Sequence, residues 1–124
     1  MKKQIVCANA LAAIGPYSQA IEINGMLFVS GQIGLDMKTG QIPDDITSQT
    51  ENVFKNMRSI ITEAGGSMDN VVKCSVFLKD MGEFTAMNEV YAKYFNEPYP
   101  ARTTVEAARL PKDLKVEVDA IAVL

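Results

Sequence analysis

The spacing of apolar residues changes along the chain, and each change marks an element. Short runs of strand character open it: Ile5 to Cys7, then "SQAIEING" and "MLFVSGQIG". The last two are separated by Asn24-Gly25, the strongest short signal for a hairpin. A loop rich in turn residues, "DMKTGQIPDD", follows. Over residues 47–64 the period lengthens. Ile46, Val53, Phe54, Met57, Ile60, Ile61 and Ala64 recur at steps of three and four, with Glu51, Lys55, Arg58 and Ser59 mainly opposite. This predicts an amphipathic helix stopped by Gly65-Gly66. "NVVKCSVFLKD" returns to alternation, with Val72, Cys74, Val76 and Leu78 on one face. Asp80 and Glu83 have the spacing of a capping box and open a second helix, with Phe84, Met87, Tyr91, Tyr94 and Phe95 along one side. Pro98 and Pro100 end it. Two last strands lie around 101–109 and 115–123, joined by "LPKD".

The order is therefore βββαβαββ in a single domain over residues 1–124, with no repeat and no linker. About six strands and two one-sided helices make an α+β sandwich with both helices on one face of the sheet. The other sheet face is left uncovered. On the strand from 101, Arg102, Thr104 and Glu106 point away from Thr103, Val105 and Ala107. On the last strand Glu117 and Asp119 oppose Val116, Val118 and Ala120. One face meets the helices; the other mixes charge with Ile121 and Val123, which suits a protein contact enclosing a polar pocket.

Composition narrows the chemistry. The chain has 124 residues, 48% apolar, enough for one core without metal or disulfide. It has no histidine, which removes Ser-His-Asp, Cys-His and His-dependent nuclease mechanisms. No loop rich in Asp and Glu suggests a metal. Cys7 and Cys74 are far apart and read as buried small hydrophobes of a reduced, cytoplasmic protein. The net charge of −3, with no run of Lys or Arg beyond two, argues against nucleic acid as partner. "MKKQIVCANALAAIGP" superficially resembles a secretion signal, but Ile5 to Cys7 is too short an apolar region, and no stretch is long enough to span a membrane.

Few residues remain to carry chemistry. Arg102, just after Pro100-Ala101, offers a rigid fork of donors that matches a carboxylate; its plainer role is a surface ion pair with Glu106 or Glu117. Glu117 is the best candidate base, against a solvated strand residue, with Glu106 and Asp119 as weaker versions. Tyr17, after the Gly15-Pro16 turn, faces either a pocket edge, or the core or an interface. "SGQIG" lacks the pattern of a phosphate loop, although Gly31 permits close approach of a ligand to backbone. Met57 and Met87 lie on the inner helix faces and read as core.

"AAIGPYSQA", "FVSGQIGLD", "VVKCSVFLKDM", "MNEVYAKYF", "PARTTVEAARLPKD" and "VEVDAIAV" occur in an order that resembles the Rid (YjgF) family, and within it the RidA branch of 2-iminobutanoate/2-iminopropanoate deaminases. The resemblance implies a chorismate-mutase-like fold assembled as a homotrimer, sheets inward, with clefts between neighbours. It also implies cofactor-free hydrolysis of reactive enamines and imines to 2-oxo acids and ammonia. By that likeness Arg102 binds the substrate carboxylate and Glu117 holds and activates water. Tyr17, Ser30, Gly31, Asn88, Thr103 and Thr104 line the cleft. Many RidA members read "PARSCVEVARLP", so Thr104 replaces a familiar cysteine; its backbone N–H can still serve, and the thiol is taken to be dispensable. Two alternatives use the same residues or the same family: a non-enzymatic sensor of 2-oxo acids, and a ribonuclease or translation inhibitor.

Overall fold

In the computed structural model, which describes every residue from Met1 to Leu124, six strands and two helices form in the expected order. The strands are β1 (Lys3–Ile5), β2 (Ala20–Ile23), β3 (Met26–Gln32), β4 (Val71–Leu78), β5 (Ala101–Glu106) and β6 (Val116–Val123). The helices are α1 (Ile46–Glu63) and α2 (Phe84–Tyr94). One mixed sheet results, in the order β1-β2-β3-β6-β4-β5, with every neighbouring pair antiparallel except β4 and β5. The β2–β3 turn needs two residues at positive φ, and Asn24 (52°) and Gly25 (77°) provide them. α1 starts at Asp45, whose carboxylate accepts from the Ser48 amide at 2.8 Å. It ends where Gly65, at φ 88°, lets the amides of Gly65 and Gly66 reach back to Thr62 and Ile61.

Both helices pack on one face. Leu27, Val29, Cys74, Val76, Leu78, Val116, Val118, Ala120 and Ala122 of the sheet are buried with Val53, Phe54, Met57, Ile60 and Ile61 of α1 and Met87, Val90 and Tyr91 of α2. Phe54, Tyr91, Tyr94 and Phe95 stack between the helices, centroids 4.6–5.5 Å apart. The opposite face carries no helix. Its apolar side chains include Met26, Phe28, Val105 and Val123, all exposed.

Three local expectations need correction. Val72 does not share the Cys74 face: a bulge between Val71 and Lys73 buries Val71 and turns Val72 outward. Asp80 and Glu83 form no capping box. Asp80 caps the single 3₁₀ turn Met81–Glu83 through the Gly82 amide (2.7 Å), and Glu83 is drawn away by Lys115 Nζ at 3.1 Å. The strand from 101 stops at Glu106 rather than 109, because the chain leaves the sheet edge after the Ala107 amide bonds Leu78 O.

Candidate functional site

Arg102 follows Pro100 onto β5, the edge strand, and pairs with Cys74 of β4. Cys74 is also paired with Ala120, and both are buried against the helices, so Arg102 points to the helix side. Its Nη1 donates to Asn88 Oδ1 of α2 at 2.7 Å. The guanidinium carbon lies 4.6 Å from the Tyr91 ring centroid and 5.4 Å from that of Phe84. Neither Glu106 nor Glu117 pairs with it. Glu106 instead accepts from the Met81 amide at 2.9 Å, which closes the turn before α2. The surface ion pair is thereby ruled out for this chain, and most of the five N–H donors stay free. Asn88, Tyr91, Ala92, Tyr99, Pro100 and Arg102 line a cleft of about 440 Å³.

Glu117 lies on the opposite face. Its neighbours on β6, Val116 and Val118, are wholly buried under the helices, so alternation turns it outward beside Phe77. Burial first, and the Asp119 carboxylate second, push the Glu117 carboxyl above its ordinary value. Its side chain rests on the backbone of Gly31: a Cβ built there would lie within 2.8 Å of Glu117 Cδ. The glycine thus serves the approach of a carboxylate from the same chain, in addition to any ligand.

Tyr17 is 52% exposed at the end of a loop that Ser30 and Gln19 tie down. Ser30 Oγ donates to Ser18 O at 2.6 Å, and the Ser30 amide donates to Gln19 O at 3.0 Å. The buried Gln19 side chain accepts from the Cys7 amide at 2.7 Å and donates to the carbonyls of Cys7 and Leu11. Polar composition alone did not single out Gln19, yet it fixes where the loop leaves the sheet. Thr103 is exposed on the uncovered face, 3.4 Å from Lys73 Nζ. Thr104 faces the helices, and its buried Oγ1 has no hydrogen-bond partner. The Tyr91 hydroxyl is likewise buried, with only the Cys74 thiol beside it.

The expected residues therefore form two groups. Arg102, Asn88 and Thr104 sit on the helix side at the β5 edge; Glu117, Gly31, Ser30 and Thr103 belong to the uncovered side or border it, with the Tyr17 loop anchored at Ser30. The first group suits an anion, the second a proton transfer. Cys7 and Cys74 are free and buried, and burial pushes the Cys74 thiol up to about 11, which leaves it protonated and unreactive. No helix is long and apolar enough to cross a membrane.

Comparison with known proteins follows the same outline. The family model described as Endoribonuclease L-PSP matches residues 7–124. A RutC family protein of Pyrococcus horikoshii is 52% identical, over 98% of both chains. The 2-iminobutanoate/2-iminopropanoate deaminase of Escherichia coli is 44% identical over 99% of this chain and 98% of its own. The crystal structure of the YjgF gene product of E. coli superposes with a TM-score of 0.93 at 44% identity, covering 98% of each chain.

Proposed function

Because the chain belongs to the Endoribonuclease L-PSP family, which includes YjgF and the Rid proteins, we propose that it hydrolyses small 2-imino acids, and the enamines that give rise to them, to 2-oxo acids and ammonia. One observation carries this reading. A guanidinium held by an amide and two rings keeps donors free toward a cleft, and the only carboxyl with a raised pKa rests on a glycine backbone. The two lie on opposite sheet faces, so a working site takes Arg102 from one copy and Glu117 from the next, in a homotrimer whose uncovered faces meet. That arrangement also buries Met26, Phe28, Val105 and Val123.

The chemistry needs little more. Arg102 grips the substrate carboxylate and fixes the C=N carbon at the cleft. Glu117 accepts a proton from water as the new C–O bond forms, giving a carbinolamine. It then passes that proton to the amino group. As the C–N bond breaks, the Glu117 carboxylate takes the hydroxyl proton so that C=O forms, and it returns that proton to the departing ammonia as ammonium. A carboxyl above its ordinary pKa is a better proton acceptor, and a protonated imine is electrophilic enough that water must mainly be placed. No cofactor enters these steps. The family description names an endoribonuclease, but a chain of net charge −3 without histidine has neither a basic track nor the usual base for cutting RNA. The setting proposed is the cytoplasm, where the two free thiols stay reduced.

The test is ammonia release from 2-aminoacrylate or 2-iminobutanoate generated in the cuvette by a dehydratase. Acceleration proportional to added protein is the expected result. Rates that match spontaneous hydrolysis, together with tight binding of 2-oxobutanoate, would replace the enzyme by a 2-oxo acid sensor.

A further inference from the structure

We propose that Tyr91 is a positioning residue: its ring, with that of Phe84, fixes the plane of the Arg102 guanidinium and so sets how tightly the site holds a carboxylate. For its functional consequence this rests on the role proposed above for Arg102. An arginine on an edge strand has four side-chain torsions and sweeps a wide cone unless something stops it. Here three groups of α2 do so. Asn88 takes one Nη1 hydrogen at 2.7 Å, Phe84 lies 5.4 Å from the guanidinium carbon, and Tyr91 approaches to 4.6 Å. They recur at steps of four and three along the helix, on its inner side.

Tyr91 is the one of the three that is anchored. It is 4% exposed and packs edge-on against Phe54 of α1 at 5.5 Å and at a tilt against Phe95 at 4.6 Å. Its buried hydroxyl has no nitrogen or oxygen partner, only the Cys74 thiol beside it. A buried phenol whose one polar neighbour is a weakly bonding thiol contributes mainly through its ring, and the electron-rich ring face is what a cation seeks. The aromatic stack thus transmits the rigidity of the core to a guanidinium at the sheet edge. Its remaining donors are then presented in one orientation, and a ligand need not freeze them.

The side chain of Arg102 itself provides a reading independent of any substrate. In ¹⁵N relaxation the Arg102 Nε–H of the unmodified protein is expected to be ordered, and in Tyr91→Leu mobile. Tyr91→Leu is expected to weaken binding of 2-oxobutanoate by about 5–30-fold and to raise KM by a similar factor with a smaller change in kcat. Tyr91→Phe restores the ring and is expected to rescue most of both losses. Phe95→Leu removes one of the two rings that hold Tyr91 and leaves Phe54 in place, so it is expected to lower Tm and to loosen Arg102 less than Tyr91→Leu does. If Tyr91→Leu does not fold, Phe84→Leu at the half-exposed second ring is expected to show the same pattern at smaller amplitude. A mobile Arg102 in the unmodified protein, or equal losses in Tyr91→Phe and Tyr91→Leu, would overturn the inference. An ordered, Tyr91-dependent Arg102 in a protein that binds no 2-oxo acid would leave the inference standing and sink the proposed function instead.

Discussion

If Arg102 and Glu117 act in one site from two different copies, two inactive variants should repair each other. The geometry leaves little room for a site within one chain. Glu117 pairs with Phe77, and Phe77 with Val105, so Glu117 and Val105 are two strand spacings apart, roughly 10 Å. Arg102 lies three residues farther along β5, about another 10 Å, which puts the two Cα atoms roughly 14 Å apart. Their side chains then leave opposite faces of the sheet. A four-carbon imino acid spans only about 5 Å. It cannot touch both groups of one chain.

Arg102→Ala alone should lose about 30- to several-thousand-fold, the cost of a charged hydrogen bond in a desolvated site. Glu117→Gln alone should lose roughly 10²–10⁴ in turnover. In an equal mixture assembled at random, a cleft draws an intact arginine with chance one half and an intact glutamate from its neighbour with chance one half. About a quarter of the clefts are then whole. Co-refolded or co-expressed variants should accordingly show about a quarter of the unmodified rate per chain, with sedimentation at about three times 13.5 kDa. The double variant mixed with unmodified chain gives the reciprocal reading: about a quarter for shared clefts, about half if each chain owns its site. A mixture of single variants no faster than the mean of its parents would refute the shared cleft.

Other outcomes follow from single positions. Gly31→Ala puts a methyl where the Glu117 carboxyl rests, so turnover should fall by about 10–100-fold with less change in 2-oxo acid binding, measured by rate and calorimetry. Thr104→Val removes a buried hydroxyl that has no partner and should raise stability by about 1 kcal/mol, roughly 3–5 °C in Tm by calorimetric scan. Glu117→Gln should stabilise the fold at neutral pH even as it slows turnover. The folded-state pKa of Glu117 is raised, so its ionisation costs the native state above that pKa and costs nothing below the unfolded value. Denaturant midpoints of the two proteins should converge as pH falls toward the ordinary carboxylate range.

The legibility of this fold in its sequence tracks how local each cause is. Asn24-Gly25 announced its hairpin because positive φ at both positions is a property of two residues. α1 was legible because its core face repeats every three or four residues, although an apolar repeat passes over the buried Gln49 and Asn56, which tie the loop after β3 and the start of β6. Val72 misled because a bulge is invisible to strict alternation. The resemblance indicated which residues to watch, and the chain does contain them. Alternation had already set Glu117 opposite Val116 and Val118, but the resemblance could not say which side of the sheet Arg102 occupies.

That side was hidden for a physical reason. β5 has no wholly buried residue, so its burial pattern does not mark an inward face, and its only strand partner, β4, lies some thirty residues earlier. What decides the matter is Asn88, on a helix between the two strands, together with the ring of Tyr91. A strand polar on both faces is a poor core element and an edge that needs covering. Here it becomes intelligible as a shared boundary: one face presents Arg102 beside its own helix, and the other offers Thr103 and Val105 to whatever covers the open sheet. In the homotrimer proposed above, the polarity that made β5 hard to read would let one short strand present Arg102 on one face and meet a neighbouring copy with the other.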